Sequence, residues 1–295
     1  MSIVLADLGG THLRLARMEN PRDVVKYKIT DHRSIEELLR SFAPDISALF
    51  LASAIHPRDG VIEDRRFGDH SHWSIGLEDL KCSLLLDRLV VLNDLEAAAY
   101  ALPVLNDDDL CTILPAQYAQ SPFENPPKLL IGIGTGIGHA FVFARVNAAP
   151  FVQRSHGGHL PVLALSQEQR MLVQNMEQGN ARGRDLIVED IVSGYGISSL
   201  KAITDEETAL RIFWESLGLY CNNIVSVCGA YGGIYLTGGV MDELFAAGGI
   251  DMESFKTYFL RPMVPIVTES LAATPVYYCR QPNMPLIGLS VVAGV

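Results

Sequence analysis

Short apolar runs separated by turn residues open the chain and predict an antiparallel meander, with strands over residues 3–6, 13–18 and 24–29 and Asp7-Leu8-Gly9-Gly10-Thr11 as the first turn. Helical spacing follows over 34–42, then an apolar strand over 48–54. The polar, glycine-containing stretch at 55–72 reads as a loose hairpin or loop. Residues 77–86 read as a helix and 89–92 as a buried strand. The segment 94–102 reads as a helix centred on Ala97, Ala98 and Ala99, alanine losing the least freedom on entering one. Polar connections at 106–109 and 115–128, the second with four prolines, mark a candidate boundary between lobes.

Beyond it the strand, glycine turn, strand design repeats, with strands over 129–133 and 140–145. Helices are expected over 166–177 and 206–228, the second apolar throughout its later half and so a central packing helix. Short strands at 234–236 and 276–279 and a final apolar helix over 286–295 complete the pattern. Meanders alternating with helices indicate mixed α/β lobes, not an all-parallel dinucleotide fold.

Composition narrows the function. The 295 residues are 48% hydrophobic and 19% charged, enough to build large cores without disulfides or metal. A net charge of −11 offers no basic footprint, so no nucleic-acid partner is expected. Mean hydropathy is +0.20. The longest uncharged stretch, 217–241, nevertheless contains Asn222, Asn223 and six glycines, and reads as a buried helix plus a core strand. A membrane span needs about 20 mostly apolar residues, so no membrane association is expected. The first residues, with Asp7 among them, show no signal peptide, and the five cysteines lack CxxC spacing. They read as buried hydrophobes in a reducing, cytoplasmic compartment.

Three glycine turns follow apolar strands: Gly9-Gly10 in the first turn, Gly132-Ile133-Gly134-Thr135-Gly136-Ile137-Gly138, and Thr237-Gly238-Gly239. Each alone is also what a tight strand connection requires, because glycine enters positive φ cheaply. Backbone amides beside a hydroxyl can instead cradle phosphate, and Thr11 and Thr135 supply hydroxyls. Asp7 supplies a carboxylate able to hold a Mg²⁺-bound water. Neither a P-loop nor a dinucleotide fingerprint is present.

The order of motifs carries the specificity. Asp-x-Gly-Gly-Thr at 7–11, Asn93-Asp94 after a strand, Gly-x-Gly-Thr-Gly at 132–136 and Thr-Gly-Gly at 237–239 resemble the ATP-binding core of the sugar-kinase, actin and heat-shock-chaperone superfamily. With the segments 5–16, 92–103, 156–159 and 189–194, the chain resembles the bacterial glucokinase family along almost its whole length. The resemblance implies a two-lobed ribonuclease-H-like (actin-like ATPase) α/β fold with mixed sheets and an interlobe cleft. The small lobe would be 1–103, with the helix 284–295 packing back on it, and the large lobe 104–283. It also implies ATP-dependent phosphorylation of the 6-hydroxyl of glucose by a homodimer.

By the same resemblance, Asp94 is the general base. From the residues alone, capping the helix that follows is the favoured reading of Asp94, and the resemblance reverses it. Asn93, Asp94, His156, His159 and Glu189 would bind the sugar. Asp7, Gly9, Gly10, Thr11, Gly134, Thr135, Gly136, Gly238 and Gly239 would hold ATP, with Asp7 reaching Mg²⁺ through water. The sequence departs from the family at His156, where the family has glutamate, at His12, where it has asparagine, and in the loop 69–73. A neutral imidazole offers one donor and one acceptor where a carboxylate only accepts. Another hexose or hexose derivative, or a non-catalytic sugar-binding sensor, are therefore the alternatives. The pairs His156/His159 and His70/His72 lack a Cys partner and read as loop residues more than as a metal site. Arg14 is expected to pair with a carboxylate, and Arg182 and Arg184 to be solvated.

Overall fold

The computed structural model describes residues 2–9, 11–32, 34–63, 73–118, 124–178 and 183–294. The chain divides into two compact units, one of Met1–Leu105, Arg145–Pro150 and Pro282–Val295, the other of Asn106–Ala144 and Phe151–Gln281.

In the first unit the meander is β1 (Ser2–Leu8), β2 (His12–Arg17) and β3 (Asn20–Lys28), followed by helix α1 (Ile35–Phe42) and β4 (Ile46–Ser53). Ser34 caps α1, its hydroxyl accepting from the Glu37 amide at 3.1 Å. The polar stretch forms a hairpin of β5 (Val61–Glu63) and β6 (Ser74–Gly76), whose connection lies outside the described residues. Helix α2 (Leu77–Ser83), β7 (Arg88–Asn93) and α3 (Asp94–Tyr100) follow. The sheet runs β3-β2-β1-β4-β7, antiparallel through the meander and parallel from β1 to β7.

Both faces of this sheet are covered, which is why β1 and β4 read as continuous apolar runs and not as alternation. Val4, Ala6 and Leu8 face Leu38 and Leu39 of α1. Leu5 and Phe50 face Ala97 of α3 and Leu286 and Leu289 of the C-terminal helix, Met284–Ala293. That helix lies so close on α3 that a Cβ at Gly288 would fall 1.7 Å from the Ala97 carbonyl oxygen.

The second unit contains β8 (Leu110–Leu114), β9 (Lys128–Ile133), β10 (Ile137–Phe143), β11 (Phe151–Ser155), β12 (Ile234–Thr237) and β13 (Val276–Cys279). Its order is β11-β10-β9-β12-β13-β8. The first five strands repeat the first unit's plan, two antiparallel pairings followed by two parallel ones. The edge strand β8 is the addition. The helices are α4 (Gln167–Gln178), α5 (Gly194–Lys201), α6 (Glu206–Cys228), α7 (Gly239–Ala246), α8 (Met252–Phe259) and α9 (Pro265–Ala272). Of these, α5 and α7–α9, together with strands β8 and β11, carry no expectation from the sequence.

Helix α6 is the centre of this core, burying Phe213, Trp214, Leu217 and Cys221. Asp205 accepts from the Thr208 amide at its start, and Gly229 ends it at φ +64°, a conformation glycine adopts without penalty. Among the described residues no helix is long and apolar enough to cross a membrane. All five cysteines are free. Cys221 and Cys279 are buried, but Cys82 and Cys228 are exposed, against the expectation that all pack as hydrophobes.

Candidate active site

The parallel strands β1, β4 and β7 end side by side, with Leu8 opposite Ser53 and Ser53 opposite Asn93. Carboxyl ends of parallel strands are where α/β sheets offer ligands their loops. Asp7, one residue short of the end of β1, is 5% exposed and opposite Arg14 on β2. The Arg14 guanidinium donates to its Oδ2 at 2.7 Å, as expected for that arginine. Burial holds the Asp7 carboxyl above its ordinary range, against the downward pull of Arg14. The turn is closed by the Gly9 amide donating to the His12 carbonyl at 3.0 Å, and Thr11 is exposed at its tip. Gly10 lies outside the described residues.

Asn93, not Asp94, caps α3. Its Oδ1 accepts from the Glu96 amide at 3.3 Å, and its Nδ2 donates to the Ser53 carbonyl at 3.5 Å. Asp94 is the first residue of the helix proper, with Oδ1 accepting from the Leu95 amide at 2.8 Å. Burial is the main cause that lifts the Asp94 carboxyl above its ordinary value. The Leu95 hydrogen bond opposes it, and the nearby charge of Asp7 adds to it. Ser53, which sequence reading missed, sits buried beneath Asn93.

In the second unit the turn between β9 and β10 is fixed by the Gly134 amide donating to the Gly136 carbonyl at 2.9 Å. The Gly134 carbonyl accepts from the Gly194 amide at 2.8 Å, which ties the turn to the start of α5, and Thr135 is exposed at its tip. Glu189 reaches the same turn, its Oε2 accepting from the Ile137 amide at 3.1 Å. A Cβ at Gly136 would lie 2.4 Å from that oxygen, so the glycine leaves room for the Glu189 carboxylate to reach the turn. The next glycine turn, after β12, holds Gly238 at φ +104° with its Cβ position 2.4 Å from the Ile133 carbonyl. Gly239 opens α7.

After β11, His156-Gly157-Gly158-His159 forms a 3-10 turn in which His156 and His159 are exposed and their rings stack at 5.8 Å, 11° from parallel. Both glycines press onto β10. A Cβ at Gly158 would meet the Ile137 carbonyl at 2.7 Å, and one at Gly157 would meet His139 Cε1 at 2.2 Å. His139 is 1% exposed, with Nδ1 2.7 Å from the Tyr220 hydroxyl. Sequence reading missed it, although a histidine in the apolar strand Ile137–Phe143 was a visible signal. Among the described residues no three His, Cys, Asp or Glu side chains gather as a metal cage. His70, His72 and all of the 69–73 loop except Trp73 lie outside the described residues, as does Arg182. Arg184 is exposed, as expected, yet its guanidinium is engaged. It forks onto the buried Asp190 at 2.6 and 3.0 Å, bracing the residue after Glu189.

A family model described as Glucokinase matches residues 4–208 and 201–294. The chain belongs to the glucokinase family. A glucokinase of Cupriavidus pinatubonensis is 26% identical over 317 residues, covering 92% of this chain and 90% of its own. The crystal structure of a glucokinase from an Antarctic psychrotroph superposes with a TM-score of 0.80 at 23% identity, over 99% of this chain and 98% of that one. The Balamuthia mandrillaris glucokinase in complex with glucose gives 0.74 at 20% identity, over 100% and 94%. The fold is thus the two-lobed actin-like ATPase fold of sugar kinases.

Two expectations follow for this glucokinase-family chain. Gly136→Ala forces the Glu189 carboxylate off the Ile137 amide, and should lower kcat/KM at least about tenfold without loss of circular-dichroism signal. The second concerns pH. Burial, then the charge of His156, pushes His139 down to about 4. In the unfolded chain it titrates near 6.5. The unfolded state therefore takes up its proton first as pH falls. The contribution to stability is full above 6.5 and is lost toward 4, with a slope approaching about 1.4 kcal/mol per pH unit. Urea unfolding across that window should show the slope, and replacing both His139 and Tyr220 by Phe should flatten it.

Proposed function

We propose that this chain transfers the γ-phosphoryl group of ATP to the 6-hydroxyl of glucose, with Asp94 as the general base. The observation that carries the reading is the state of Asp94. It stands at the end of β7, largely buried, excused from capping by Asn93, with its carboxyl lifted above the ordinary range. A base works best when its pKa is raised toward the working pH, and phosphoryl transfer otherwise needs positioning and charge stabilisation more than covalent help.

Backbone amides at Gly9, Gly134, Gly136, Gly238 and Gly239, with the Thr11 and Thr135 hydroxyls, would hold the phosphates. Asp7 and Asp94 are hard oxygen donors close enough for the charge of one to lift the other. That donor set suits Mg²⁺ bound mainly by phosphate and water. Asp7 would hold the ion through a water, and the bound ion would neutralise charge developing on the phosphates. Asn93, His156, His159 and Glu189 would pair the sugar hydroxyls, which cannot be buried unpaired without cost. The enzyme is further proposed to be a cytoplasmic homodimer that feeds hexose 6-phosphate to glycolysis, on the family resemblance alone.

ADP release from Mg-ATP across a panel of hexoses tests this. Glucose-dependent turnover supports it. Turnover on another hexose alone keeps the chemistry and moves the substrate, the reading that His156 favours. Hexose binding without turnover overturns the kinase in favour of a sugar-binding sensor.

A further inference from the structure

His139 has no part in the chemistry above, and stability does not account for it. It lies on β10 in line with Ile137 and Phe141, facing the core around α6. Among the described residues, its Nε2 is the buried side-chain nitrogen without a partner. Two tautomers are available to the neutral ring. If Nδ1 carries the proton it donates to Tyr220, and both Nε2 and the Tyr220 O–H hydrogen go unpaired. If Nε2 carries it, the Tyr220 hydroxyl donates to Nδ1 across 2.7 Å, and a single N–H is left over. The second arrangement strands fewer groups, and it fixes the ring plane through Tyr220. Phenylalanine at both 139 and 220 would strand none, so the imidazole–phenol pair carries a cost that a purely structural apolar pair would avoid.

What the ring touches supplies the reason. The Cβ position of Gly157 lies 2.2 Å from Cε1 and 3.1 Å from Nε2 of His139, and 3.0 Å from the Tyr220 hydroxyl. The imidazole edge and the phenol together are the seat on which Gly157 rests. Gly157 is bonded directly to His156. The same 3-10 turn closes through the His159 amide on the His156 carbonyl at 2.9 Å and the Leu160 amide on the Gly157 carbonyl at 3.0 Å. A tilt of the ring therefore moves both exposed imidazoles together.

We propose that His139, oriented by Tyr220, is a positioning residue that sets the height of the 156–159 turn and so places His156 and His159 against the hexose. This rests on the reading of that turn as hexose-binding.

The test is steady-state kinetics with hexose and ATP varied separately, on the double variant His139→Phe/Tyr220→Phe. Replacing both partners by apolar groups of similar shape leaves nothing unpaired, so the fold is preserved, and the melting temperature verifies it. Hexose KM is expected to rise roughly tenfold or more, with kcat and the KM for ATP within about twofold, the signature of lost ground-state placement. Gly157→Ala, whose Cβ would collide with His139 Cε1, should raise hexose KM in the same way, with the KM for ATP within about twofold. A double variant whose hexose KM stays within about twofold of the parent overturns the proposal. So does a Gly157→Ala variant whose hexose KM stays within about twofold of the parent. Absence of hexose-dependent turnover in the parent is visible before any variant is made, and would remove the functional reading together with this one.

Discussion

Asp94→Asn is expected to lower kcat by about 10²–10⁴-fold, the range spanned by removal of a positioned general base. At neutral pH it should leave the chain more stable than the parent. The two effects have one cause. Burial and the charge of Asp7 lift the Asp94 carboxyl above the 3.8 of an unperturbed aspartate. A carboxylate whose folded value is raised opposes folding wherever it is ionised. Its cost is absent below 3.8, grows as pH rises toward the folded value, and is complete above it. Asparagine keeps the shape and removes the charge. Urea unfolding of parent and variant at neutral and at acid pH should show a stability gain at the first that vanishes at the second. A variant both inactive and less stable at neutral pH would mean that Asp94 serves the fold. The parent's kcat/KM should fall on the acid side as Asp94 takes up its proton.

Gly288→Ala is the substitution expected to harm the fold most for its size. The added Cβ would stand 1.7 Å from the Ala97 carbonyl oxygen and 3.0 Å from the Ala101 amide, both backbone atoms that cannot swing aside. The C-terminal helix must then lift off α3. Overpacking of this kind costs about 1–3 kcal/mol or more, enough to lower the melting temperature by several degrees. Because α3 begins at Asp94, kcat should fall as well. Thermal unfolding and kinetics on one preparation check both; an unchanged melting temperature would contradict the close docking.

Where local chemistry marks an element, the sequence was readable. The helix expected over 206–228 is found over Glu206–Cys228, because Asp205 caps one end and Gly229 closes the other. The repeated strand, turn, strand design emerged because buried strands in both sheets are apolar without interruption. Strand β11 escaped because it is an edge in which four of five residues are exposed, leaving no apolar run to read. Helix α7 opens on Gly239, a poor helix former, and α9 on Pro265, which suits a first helical position, followed by the β-branched Ile266 and Val267, so tertiary packing decides both.

The chemistry divides in the same way. Asp7, Asn93 and Asp94 stand beside strand ends that the apolar pattern reveals. Glu189 meets the glycine turn from 52 positions away, and His139 meets Tyr220 across 81. No local spacing announces such pairs. The capping question at Asp94 was likewise closed by geometry, since Asn93 and Asp94 are both good cap residues by type.

The most direct test of the proposed chemistry is a ³¹P NMR time course of the parent protein with Mg-ATP and glucose. ADP and one new phosphomonoester resonance, split by the two protons on C6, are expected to grow at equal rates as ATP disappears, and neither should grow without sugar. ADP accompanied only by inorganic phosphate, or ATP untouched with glucose and every other hexose tried, would contradict it.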